Sequence, residues 1–181
     1  YKRQSLYKGN HFDIAGFLVG IKERYKTLNV ASGDLIFGIK SNGFHSNGYS
    51  FIRKIIKQNK INIKRATFNK QKLSNLIMRP TRLYHRYINN YDLKYIKTLS
   101  HITGGGVYSN FKRSIPKGTK FDLNIIKLPK EYEFIKDNIN ISNLELMEIF
   151  NCGIGMIFVI NKKHYKRFIK RNLFSLIGEI K

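Results

Sequence analysis

Cysteine, tryptophan and proline are nearly absent from this chain: one, none and three of 181 residues. A single cysteine, Cys152, excludes an internal disulfide and a thiolate metal cluster, and it points to a reducing, cytoplasmic compartment. The apolar surroundings of Cys152 favour a small buried hydrophobe over a reactive nucleophile. No apolar run approaches the roughly 20 residues of a membrane span, so no membrane partner is expected. The opening YKRQSLYKGNH lacks the apolar core of a signal peptide. It also lacks an initial methionine, and the expectation is a chain that starts partway through a longer product.

Acidic residues are the other scarcity, with 11 Asp plus Glu against 34 Lys plus Arg, a formal charge of +23. Such an imbalance attracts polyanions, which raises a basic nucleic-acid-binding module as an alternative function. The lysines are scattered rather than blocked. Lys, Asn, Ile, Tyr and Phe also share AT-rich codons, which accounts for the composition without a nucleic-acid partner. Hydrophobic residues reach 42%, too many for a disordered chain, and the length suits one domain over residues 1–181.

Hydrophobic patterning predicts an α/β (α+β) fold, with a mixed β-sheet covered by helices. Buried strands are expected at residues 14–21 (IAGFLVGI), 35–39 (LIFGI) and 153–160 (GIGMIFVI), with a short apolar segment at 98–102 and a final strand at 176–180. Residues 49–58 repeat apolar positions at helical spacing. A helical run is expected at 73–78, a helix opening at Pro80-Thr81, and another just after Gly106. Residues 59–72 read as a polar loop. SNLE, with Ser142 and Glu145, is a capping-box pattern opening a helix. Residues 162–171 read as a basic helix with Tyr165, Phe168 and Ile169 inside.

Two loops carry the functional signal. In SNGFHSNGYSFIRKI, residues 41–55, a strand gives way to a glycine-containing polar loop and then a helix. Unpaired N–H groups and the helix dipole make that arrangement an anion site. Gly43 and Gly48 allow close backbone approach. Ser46 and Asn47 are placed to cap the helix or to donate to a phosphate, and His45 to donate or shuttle a proton. The second loop, His101-Ile102-Thr103-Gly104-Gly105-Gly106, repeats the theme. Three consecutive glycines carry an entropic cost that a plain turn does not require. Both loops are expected to converge at one end of the sheet. No Walker motif, dinucleotide fingerprint or zinc spacing is present. Asp13 alone stands near a strand start as a carboxylate for magnesium, so no metal site is assigned.

HSNGYSFIRKI, RPTRLY (79–84), HITGGG and FNCGIGM (150–156) occur in the order found in phosphoribosylformylglycinamidine cyclo-ligases, the AIR synthetases. GDLIFGIKSNGFHSNG and the approach YKGNHFDIAGFLVGI are similar as well, as are Asn110 and residues 113–116. The resemblance is to the family's C-terminal domain; PTRLY and FNCGIGM separate it from the related superfamily amidotransferases. It implies ATP-dependent closure of formylglycinamidine ribonucleotide to aminoimidazole ribonucleotide, with ADP and phosphate released. ATP and Mg2+ would be held mainly by an N-terminal ATP-binding domain, and a homodimer is implied. His45 and His101 become candidate proton donors or oxyanion stabilisers. Substrate or phosphate contacts fall to Ser46, Asn47, Gly48, Thr81, Arg82, Thr103, Gly104, Gly105 and Gly106.

Overall fold

A computed structural model describes residues 16–20, 29–125 and 127–181. In chain order these form β1 (Leu35–Lys40), α1 (Tyr49–Gln58), β2 (Thr67–Phe68), β3 (Gln71–Lys72), α2 (Leu73–Ile77), α3 (Asn90–Leu93), β4 (Ile96–His101), α4 (Gly106–Lys112), β5 (Phe121–Leu123), α5 (Glu131–Asn138), α6 (Asn143–Ile149), β6 (Ile154–Ile160), α7 (Tyr165–Phe168) and β7 (Phe174–Ile180). Short 3-10 turns cover Tyr84–Arg86 and Lys162–His164. Five strands make one sheet in the order β4-β6-β1-β7-β5, while β2 and β3 form a separate small hairpin.

The α/β architecture matches the sequence reading, and every pairing in the five-stranded sheet is antiparallel rather than mixed. Alternation explains how one sheet serves two cores. On β1, Leu35, Phe37 and Ile39 point to one face and Ile36 to the other. The Ile36 face is covered by α1, α2, α4, α5 and α6 through Ile52, Leu76, Phe111, Ile135 and Leu146. The opposite face gathers Phe37, Phe158, Phe168 and Phe174, with neighbouring ring centroids 5.2–5.5 Å apart. Each such side chain, fully buried, stabilises the fold by about 1.5–3 kcal/mol. At one end of the sheet the C-termini of β1 and β4 lie beside the N-termini of β6 and β7.

Helix α1 spans 49–58, as its apolar spacing predicts. The capping box at Ser142 and Glu145 is present in full. Three expectations fail. Residues 16–20 of the expected strand 14–21 take no regular structure, and Phe17, Leu18 and Val19 are 96–99% exposed. No described element packs over them, so the burial that an apolar strand needs is missing; the rest of that segment, and Asp13, lie outside the described residues. No helix begins at Pro80. Arg79 is held by Asn42 and Gln71, and Tyr84 is anchored in the core, and the backbone between them takes no regular structure. The basic helix at 162–171 shrinks to a 3-10 turn and one helical turn, because Arg171 is drawn to Asp92 and the Tyr87 carbonyl. Phe168 and Ile169 do pack inward, while Tyr165 stays 36% exposed. Residues 59–72, expected as a polar loop, end in the hairpin β2–β3, and α3, α5 and β5 were not foreseen. No described helix is long and apolar enough to cross a membrane.

Candidate functional site

The two glycine loops meet. Both α1 and α4 begin at left-handed glycines, Gly48 (φ 68°) and Gly105 (φ 95°), with no side-chain cap. Ser46 and Asn47 therefore do not cap α1. Ser46 is exposed; Asn47 is fully buried and sends Nδ2 to the carbonyls of Phe44 and Ile102, at 3.2 and 3.5 Å, tying one loop to the other. Between the loops lies a depression of about 390 Å³, lined by Ser46, Gly48, Tyr49, Ser50, Gly104 and Gly105 among others. Backbone N–H groups at the starts of two helices border it, which suits an anion with several oxygens.

The glycines differ in their reasons. A Cβ at Gly48 would lie 2.0 Å from the Phe150 ring, and one at Gly106 (φ 68°) 2.2 Å from the Met147 carbonyl. Packing alone requires both. Gly104 faces open space, so its missing side chain keeps the depression clear. Asn110 holds the second loop in shape, donating from Nδ2 to the carbonyls of Thr103 (3.0 Å) and Gly106 (2.6 Å) while its Oδ1 accepts from Arg113. Thr103 Oγ1 lies 3.4 Å from that same Oδ1.

His45 sits below the first loop, 4% exposed and in the left-handed region at φ 53°, unusual for a residue with a side chain. Its Nε2 lies 2.5 Å from Asn42 Oδ1 and 3.3 Å from the Asn42 backbone nitrogen. Nδ1 is buried with no hydrogen-bond partner. Burial, then the charges of His101 and Arg82, lower the His45 pKa to about 4, so the imidazole is neutral at physiological pH.

Tyr84 stands between the two histidines, its ring centroid 6.3 Å from that of His45 and 5.8 Å from that of His101. The Tyr84 hydroxyl is buried without a partner, and burial raises its pKa. His101, at the end of β4, is more exposed. Arg82 lies over the Tyr87 ring at 5.6 Å and donates to the Tyr87 hydroxyl at 3.1 Å, leaving Nε buried and unpaired. Thr81 is half-buried beside it. The structure thus joins His45, His101 and Arg82 around Tyr84, and Ser46, Gly48, Gly104 and Gly105 around the depression. Gly106 and Asn47 serve the scaffold.

Two further residues shape the site and were not singled out from sequence. Tyr84 was visible only as the last letter of RPTRLY. Asn151, within FNCGIGM, is fully buried and its side chain makes five hydrogen bonds. Nδ2 donates to the carbonyls of Gly43 and Phe44, at 2.9 and 2.8 Å, while Oδ1 accepts from Ser41, Tyr132 and the Gly153 nitrogen. It fixes the backbone that delivers His45. Cys152 next to it is buried, and burial pushes its thiol up to about 12, as expected for an inert cysteine. Among the described residues no group of three His, Cys, Asp or Glu side chains is placed to hold a metal ion.

The profile described as AIR synthase related protein, C-terminal domain, matches residues 31–181. The phosphoribosylformylglycinamidine cyclo-ligase of Neisseria gonorrhoeae is 38% identical over 161 residues, covering 86% of this chain and 47% of that protein. The Cupriavidus pinatubonensis protein of the same name is 35% identical over 172 residues, covering 92% and 49%. The chain therefore spans about half the length of the curated relatives it matches. Among solved structures, E. coli HypE, a hydrogenase maturation protein, aligns with a TM-score of 0.48 at 15% identity, covering 87% of this chain and 46% of that one.

Proposed function

This chain belongs to the AIR synthase related family as its C-terminal domain, and from that premise we propose that it is the C-terminal half of a phosphoribosylformylglycinamidine cyclo-ligase in purine biosynthesis. The observation that carries the reading is the shared depression between the 46–50 and 104–105 loops, with His45 beneath one loop and His101 at the base of the other. Two helix starts offer backbone N–H groups to phosphate oxygens, and Gly104 leaves room for them. His45 acts as a neutral imidazole through Nδ1, so it contributes a hydrogen bond rather than a charge. Arg82 supplies the positive field around developing negative charge, and the more exposed His101 offers a ring nitrogen as a hydrogen-bonding group.

The chemistry asks the protein mainly for position. ATP turns the formyl amide oxygen into a phosphate leaving group, and the amidine-side nitrogen then closes the ring. On this reading the two loops receive the phosphate-bearing parts of the reactants, and ATP and Mg2+ are held mainly by a separate N-terminal ATP-binding domain. A cytoplasmic homodimer that does not bind nucleic acid completes the reading.

The test joins this chain to the N-terminal half of the Neisseria gonorrhoeae relative and follows ADP release that depends on formylglycinamidine ribonucleotide. Turnover is expected, and replacing both His45 and His101 by Ala should abolish it. Full turnover in the double variant would remove both histidines from the site. Binding of the chain to duplex DNA that falls steeply with salt would instead favour a nucleic-acid module.

A further inference from the structure

A second cavity lies apart from the depression between the glycine loops. It lies beyond the end of β1, beside β7 and the start of α5, and holds about 640 Å³, within the range of small-molecule sites. Its floor is aliphatic. Ile154 and Ile177 belong to the core, and Leu176, between half-buried Ser175 and buried Ile177, stays 42% exposed there. Its rim is cationic: Lys40, Arg79, Lys127 and Lys130 face it with a single carboxylate, Glu131.

Arg79 sets this rim apart from ordinary surface lysines. Its guanidinium is pinned, with Nη1 donating to the Asn42 carbonyl at 3.0 Å and Nη2 to Gln71 Oε1 at 2.8 Å. Its aliphatic stem packs against Gly43, where an added Cβ would lie 3.2 Å from Arg79 Cβ. A fixed guanidinium loses little freedom when an anion arrives, and it is suited to two-point contact with phosphate or carboxylate. Asn42 in turn holds Nε2 of His45. The cavity and the buried histidine are therefore two contacts apart, through Arg79 and Asn42.

We infer that this cavity is a second ligand site, for a small anion carrying an apolar body, and that its occupancy is felt at His45. The anionic group meets Arg79 and the rim lysines, and the apolar body covers Leu176 and Ile154. An anion drawing on Arg79 weakens the hold of Arg79 on the Asn42 carbonyl, and the loop that carries His45 adjusts. The site is separate from the glycine-loop depression, with which it shares no lining residue.

Phenyl phosphate is the probe, titrated into the 181-residue chain by calorimetry and by NMR of the histidine ring protons. Saturable binding is expected, about tenfold tighter than inorganic phosphate because the ring covers the apolar floor. The exposed pair Lys40→Glu and Lys130→Glu should weaken it about tenfold while the far-ultraviolet circular dichroism stays unchanged. The His45 ring signal should shift on saturation. Binding that survives this charge reversal but is lost in Gly104→Ala places the probe in the glycine loops and overturns the inference, leaving the proposed function intact. No saturable binding, equal affinity for the two phosphates, or a His45 signal that does not move overturns it as well.

Discussion

The Tyr84 hydroxyl occupies the space that a side chain at Gly155 would need, 1.6 Å from the ideal Cβ position, and His45 Cε1 lies 3.1 Å from the same point. Gly155, in FNCGIGM, is thus the seat on which the tyrosine and the histidine of two distant motifs come together. Gly155→Ala should lower stability by about 1–3 kcal/mol in urea denaturation, since backbone or ring must move. Tyr84→Phe alone should be close to neutral, because the buried hydroxyl has no partner to lose. Combined with Gly155→Ala it should recover part of the loss; a simple sum of the two effects would show that the ring does not bear on residue 155.

Asn151 is the keystone of the His45 loop. Asn151→Ala should cost about 2–4 kcal/mol by leaving buried carbonyls and the Tyr132 hydroxyl unpaired. Asn151→Asp should be worse, since it sets a carboxylate oxygen against the carbonyls of Gly43 and Phe44. Equal stabilities for the two variants would refute the donor assignment of Nδ2.

The triple glycine divides into a scaffold part and an open part. Gly106→Ala should cost at least about 2 kcal/mol, because the residue has φ 68° and would meet the Met147 carbonyl. Gly104→Ala should leave thermal unfolding nearly unchanged and weaken binding of inorganic phosphate in the depression. Loss of fold on Gly104→Ala would reassign that glycine to the scaffold.

His45 makes stability depend on pH in a defined direction. Its folded pKa, about 4, lies below the ordinary histidine value of 6.5. Between these values the unfolded chain binds more protons, so stability falls as pH drops from 6.5 towards 4. His164, also lowered by burial and by Lys163 and Arg167, adds to the same slope. A thermal melting series over that window should flatten in His45→Gln, and an unchanged slope would show that the ring is already accessible to water.

Asp92 is fully buried between Arg171, which contacts both carboxylate oxygens at 2.8 Å, and Arg167. Burial pushes its carboxyl up, but hydrogen bonds from Arg171 and Asn89 and the two arginine charges outweigh this and hold it below its ordinary value. Asp92→Asn should cost about 3–5 kcal/mol in chemical denaturation, because Arg171 loses its counter-charge in a half-buried setting. A loss under 1 kcal/mol would class the cluster with exposed surface pairs.

Local pattern by itself determined much of this protein. Short apolar runs placed β1, β6 and β7, helical spacing placed α1, and the Ser142–Glu145 box placed the start of α6; each signal lies within a few residues. The four motifs in order gave the family, and the two glycine loops gave the candidate site. Only the tertiary structure decided which residues of those motifs line the depression and which serve packing. Gly48 and Gly106 are required by Phe150 and Met147, and Asn47 is required by Ile102, all distant in sequence. Tyr84 and Asn151 acquire their roles from Gly155, Gly43 and Phe44 across the sheet end. The strand expected at 14–21 needs cover that no described part of the chain supplies, and the helix expected at Pro80 yields to the anchoring of Arg79 and Tyr84. Local preferences are worth tenths of a kcal/mol per residue, and long-range contacts of several kcal/mol override them.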